Sequence, residues 1–146
     1  MAEHTETASR CPADFLSMLD ARADWVTTSK LICAGLPASF FDELSALVGL
    51  SPAALASLLG VKESARRRWL KTGKLTSTES DYLYSTALAL RSALGLFEGD
   101  QLAMREWITR PALALGQKAP VELLSTFVGI NTVEALIWKI ERGVSA

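Results

Sequence analysis

The chain runs to 146 residues yet has one histidine and two cysteines, and these scarcities close off much chemistry. His4 stands alone in the polar opening "MAEHTETASR", with no second imidazole to share a metal or relay a proton. Cys11 and Cys33 lack metal-ligand spacing and read as free thiols of a reducing compartment. No uncharged apolar run reaches the roughly 20 residues of a membrane span, and the opening lacks the apolar stretch of a secretory signal. The expectation is a cytoplasmic protein with no membrane partner. Alternating β patterns are scarce, and there is neither a nucleophile paired with a base nor a glycine-rich phosphate loop. No enzyme, no cofactor and no metal site are therefore expected. An excess of one charge is missing as well. Fifteen Lys and Arg meet sixteen Asp and Glu, a net of −1, which excludes a protein that coats nucleic acid with its whole surface.

What is present is apolar periodicity. Hydrophobic residues make up 49% of the chain and recur at helical spacing, with Gly and Pro falling between segments, so the fold is predicted to be all-α. Residues 1–10 read as a leader, and 12–25 suit an amphipathic helix through Phe15, Leu16 and Leu19. Residues 26–35 fit either a helix or an extended link. Pro37 suits the first turn of a helix that closes at Gly49, and Ser51 with Pro52 opens a short helix ending at Gly60. A third helix is expected over 62–71. Thr76 and Glu79 have capping-box spacing ahead of a long helix to about Phe97. Along that helix Leu83, Ala87, Leu90, Leu94 and Phe97 form one apolar stripe, with Tyr82, Thr86, Ala89, Ala93 and Leu96 beside it. Two stripes imply packing on two sides. Further helices are expected through Trp107, from Pro120, and over 131–141, with a loop at 111–119.

The string "SARRRWLK" concentrates charge. Between positions 62 and 74 lie Lys62, Arg66, Arg67, Arg68, Lys71 and Lys74 against one acid, Glu63, a local balance of +5 that leaves −6 for the rest of the chain. A short helix, a turn at "LLGV" and a second helix follow the plan of a helix-turn-helix, whose second helix enters the DNA major groove. On a helical wheel Ala65 and Trp69 point to the core, Ser64, Arg67 and Lys71 point outward, and Arg68 lies at the flank. Arginine bridges guanine O6 and N7, and both basic types neutralise phosphates, so Lys62, Ser64, Arg67, Arg68, Lys71 and Lys74 are the candidate DNA-binding residues. Arg66 departs from the plan, since it fills a slot where such motifs usually bury an aliphatic residue. Its stem is expected to pack while its head reaches water.

Beyond the basic helix, "KLTSTESDYL" and "LFEGDQLAMREWITRPALALGQKAPVELLSTFVGINTVEALIWKIERGVSA" carry Glu79, Ser80, Asp81, Phe97, Gly99, Ala103, Trp107, Pro111, Leu115, Gly116, Pro120, Leu123, Leu124, Thr126, Gly129, Val133, Ile140 and Gly143 in ordered spacing. Over residues 36–146 this resembles the Xre/MbcA/ParS antitoxins. Tyr82, where the family often has arginine, and Gln117, where it often has a second glycine, depart from the pattern. The resemblance implies an Xre-like helix-turn-helix domain over 36–75 and a toxin-binding domain over 76–146, after a leader over 1–35. It also implies a RES-domain toxin that breaks down NAD⁺ as partner, held inactive by the antitoxin's C-terminal end, and repression of its own operon at an operator. Paired half-sites on DNA suggest a homodimer. Taken singly, Trp107 reads as core, Pro111 as a helix stop, Gly116 as a turn and Gly129 as a helix boundary.

The last residues give the second candidate site. Ile137 and Ile140 are expected to anchor the final helix and Gly143 to end it, leaving Val144 to Ala146 projecting, and the resemblance implies that Arg142, Gly143, Val144, Ser145 and Ala146 meet the toxin. A terminal carboxylate beside small side chains suits a cleft that offers donors to phosphates. The competing reading is an interaction module, or a stand-alone helix-turn-helix regulator, whose basic helix binds no DNA.

Overall fold

The computed structural model describes residues 25–143, and among these the regular elements are helical. Eight α-helices follow in order: α1 Trp25–Ala34, α2 Ser39–Val48, α3 Pro52–Leu59, α4 Glu63–Thr72, α5 Ser77–Leu96, α6 Gln101–Thr109, α7 Pro120–Leu123 and α8 Phe127–Glu141. A single 3₁₀ turn, Leu113–Leu115, sits between α6 and α7. The helix expected over 12–25 lies outside the described residues except for Trp25, which opens α1. The open choice at 26–35 resolves to helix.

The centre is α5, whose two sequence stripes are both covered. Leu83, Ala87, Leu90 and Leu94 are buried on one, Thr86, Ala89 and Ala93 on the other, while Tyr82, Leu96 and Phe97 are half-buried. It packs against α1 and α2 from the N-terminal half and against α6 and α8 from the C-terminal half. Phe41, Leu44, Leu47, Leu55 and Trp69 join Met104, Ile108, Leu124, Val133 and Ile137 in one hydrophobic cluster through it. Each such side chain contributes about 1.5–3 kcal/mol by leaving water.

Two links fasten the halves. Arg105 of α6 donates from Nε to the Leu47 carbonyl at 3.1 Å and from Nη2 to the Ala46 carbonyl at 2.8 Å, adding side-chain donors to the last-turn carbonyls of α2. Tyr82 of α5 donates its hydroxyl to the Leu124 carbonyl and sets its ring edge-on to Phe127, with centroids 5.7 Å apart. Burial pushes that phenol up to about 12.

Several expectations need correction. Pro37 is not in the first turn of α2. It precedes the helix, where extended backbone pairs with the chain after α4: Ala38 N–H donates to the Gly73 carbonyl and Leu75 N–H to the Leu36 carbonyl, each at 2.9 Å. The last helix starts at Phe127, four residues before Asn131, because Thr126 caps it by accepting from Gly129 N–H at 3.0 Å. Gly129 thus lies inside the first turn, and its role is close approach: a Cβ there would sit 1.7 Å from the Leu123 carbonyl oxygen. Trp107 is half-buried and meets Phe97 at 6.3 Å between centroids, so it flanks the core without belonging to it. Ile137 anchors α8, but Ile140 is 40% exposed and does not. Gln117 has φ +67, directly after Gly116 at φ +66. The left-handed backbone explains why glycine suits position 117.

Candidate nucleic-acid interface and partner surface

Local sequence sets up the helix-turn-helix. Ser51 accepts from Ala54 N–H at 3.2 Å and Pro52 fills the first helical position, so α3 starts sharply. Gly60 at φ +71 ends it, and Val61 N–H returns to the Ala56 carbonyl at 2.9 Å. Lys62, extended, leads into α4. Trp69 buries itself against Phe41 at 5.2 Å between ring centroids, with Ala65 half-buried on the same side. Ser64, Arg67 and Lys71 are exposed, as are Lys62 and Lys74 at the two ends of the helix.

Charge on this surface is sorted by two ion pairs. Arg68, grouped in the sequence with the DNA-binding candidates, donates through both terminal nitrogens to the Glu79 carboxylate at 2.9 and 2.8 Å. The same carboxylate accepts from Trp69 Nε1 at 3.0 Å and from Thr76 N–H at 2.8 Å, while Thr76 Oγ1 accepts from Glu79 N–H at 3.1 Å. One acid therefore ties α4 to the cap of α5. The Arg68 guanidinium, before all else, holds the Glu79 carboxyl down at about 2, and the arginine is raised in turn. Arg66 pairs with Glu63 at 3.4 Å, its side chain 27% exposed. Lys62, Arg67, Lys71 and Lys74 have no ion-pair partner among the described residues. The capping box was legible in the sequence, but the grip of Glu79 on Arg68 and Trp69 was not. Those partners lie 11 and 10 residues away, and no local pattern links them.

At the other end, α8 closes through Arg142, whose guanidinium carbon lies 4.1 Å from the centroid of the Trp138 ring. Gly143 takes φ +66, the left-handed conformation expected of a helix stop. Val144, Ser145 and Ala146, the rest of the sequence-predicted toxin site, lie outside the described residues. Among the described residues no group of three or more His, Cys, Asp or Glu is placed to hold a metal ion. No single helix among them is long and apolar enough to cross a membrane.

A helix-turn-helix with four cations unpaired among the described residues around its second helix shares one core with a second helical body. Residues 29–85 match the antitoxin Xre-like helix-turn-helix domain, and residues 92–143 match the antitoxin Xre/MbcA/ParS C-terminal toxin-binding domain. Both matches end or begin within α5. The chain is also 30% identical over 117 residues to a protein named Antitoxin Xre from Photorhabdus laumondii subsp. laumondii, covering 80% of this chain and 79% of that one. The chain belongs to the Xre/MbcA/ParS antitoxin family.

Proposed function

We propose that this antitoxin neutralises a RES-domain toxin that degrades NAD⁺ and, as a cytoplasmic homodimer, represses its own operon through α4. Residues 36–75 carry the DNA contacts and 76–146 the toxin contacts. The observation that carries the DNA half is the set of four cations, Lys62, Arg67, Lys71 and Lys74, left without ion-pair partners on an exposed helical surface. Phosphates are the natural partners for such a set. Arg68, held by Glu79, acts here as a strut between α4 and α5, not as a phosphate contact. The toxin's class follows from the family resemblance, and the residues from Arg142 onward are the part assigned to its active site.

The test of the DNA half is the double variant Arg67→Ala with Lys71→Ala. Both residues face outward, so the variant keeps its fold and its toxin binding, loses operator binding at physiological salt, and shows a salt slope reduced by about two. Promoter DNA shifted at wild-type concentrations and ionic strength refutes the role of α4. That outcome favours the competing reading of α4 as a protein contact, for which the 87% exposed Leu70 speaks. For the toxin half, co-expression with the toxin is followed by NAD⁺ level and growth.

A further inference from the structure

Large apolar side chains left in water are not scattered evenly over the C-terminal half. On α8 the residues pointing away from the core fall at 128, 131, 135, 138 and 142, alternating steps of three and four that make one continuous outer seam. Along it Val128 is 76% exposed and Trp138 52% exposed, with exposed Ala135 between them and Arg142 stacked on the indole. Beside this seam, Ala114 and Leu115 of the 3₁₀ turn and Thr132, Ala135, Leu136 and Lys139 of α8 border a cavity of about 220 Å³. Leu113, next to that cavity in the chain, is 83% exposed.

None of this serves the fold. The core face of α8 is Ile130, Val133, Leu136 and Ile137, all buried, and the cation–π contact holds an exposed arginine against the Trp138 ring. A tryptophan and an arginine held together, with small residues around them, is the composition that dominates binding energy in protein interfaces.

We infer that the outer seam of α8, centred on Trp138 and ending where the residues assigned to the toxin's active site begin at Arg142, is an anchor for the toxin in its own right. The occupant is the toxin because the seam lies within residues 92–143, the part that matches a toxin-binding domain, and runs directly into the end of the chain that the proposed function sends into the toxin. The inference rests on that reading. The complementary surface is an apolar hollow that takes the indole, edged by a carboxylate that pairs with Arg142 and Lys139.

The experiment is titration of the purified full-length antitoxin against the purified RES-domain toxin, in wild type, Trp138→Ala, Trp138→Phe and Leu102→Ala forms, with thermal unfolding of each. Leu102 is 70% exposed on α6, a different helix of the same half, and serves as the control. Trp138→Ala is expected to weaken binding about 30-fold or more with its unfolding curve unchanged, Trp138→Phe to recover most of the loss, and Leu102→Ala to stay within about twofold of wild type. Binding by Trp138→Ala within twofold of wild type overturns the anchor and leaves the toxin reading intact. Equal losses in Trp138→Ala and Leu102→Ala also overturn it. A wild-type protein that does not bind the toxin overturns the toxin reading, and the anchor with it.

Discussion

Replacing Glu79 by Gln removes one charge from the junction between α4 and α5 while leaving its shape. The amide still reaches Thr76 N–H, since glutamine serves a capping box as glutamate does. What disappears is the charge-assisted pair with Arg68 at 2.8 Å. The Glu79 carboxyl sits at about 2 against an ordinary value of 4.5, a difference worth about 3 kcal/mol at full value. Because the Arg68 side chain is 42% exposed, solvent screening reduces this to about 1–2 kcal/mol. The folded-state value is depressed, so the stabilisation is fully present above the unfolded value and is lost as pH falls from about 4.5 toward 2. At pH 7 the variant should unfold about 2–8 °C below wild type. Thermal unfolding followed by helical signal from pH 7 down to pH 2.5 checks both parts, with the gap between the proteins closing through the acid window. Superimposed curves at pH 7, or a gap that stays constant to pH 2.5, would refute the assignment of Glu79 as the charged tie. The same variant frees Arg68 beside four unpaired cations, so the salt slope of DNA binding should steepen by about one.

Trp69→Ala, which empties a buried site against Phe41, should cost about 3–5 kcal/mol, whereas the half-buried Trp107→Ala should cost no more than about half of that; urea midpoints of the two variants give the order. Gly129→Ala drives a methyl into the Leu123 carbonyl and should destabilise by more than about 2 kcal/mol, read as loss of soluble full-length protein or a lowered melting point. An antitoxin stopped after Glu141 should keep its helical content and its DNA binding but release NAD⁺ breakdown by the co-expressed toxin. Full protection by the shortened protein sinks the assignment of residues 142–146 to the active site.

Features with a local cause were readable from the chain. Ser51 with Pro52, the Thr76 to Glu79 box and the two stripes of α5 each depend on neighbours within a few turns, and each stands in the structure as expected. Features with a distant cause were not. Pro37 stays out of α2 because backbone 37 residues further on pairs with it, and Trp107 stays half in water because of how α6 lies on the core, a matter of three dimensions. At the candidate DNA surface the wheel placed Ser64, Arg67 and Lys71 outward, as found, yet gave no hint that Arg68 has a carboxylate on another helix. The start of α8 shows the same limit: Gly129 reads as a breaker by propensity, but contact with Leu123 makes it the residue that admits the helix.

The sharing of α5 sets a rule for how this protein is lost. Both halves pack on the same helix, so opening either one exposes leucines and alanines of α5 to water. The helix-turn-helix and the toxin-binding half consequently melt as one unit, and a protease that catches the open chain removes both in a single event. Proteolysis of this antitoxin should therefore remove the helix-turn-helix and the C-terminal half on the same clock.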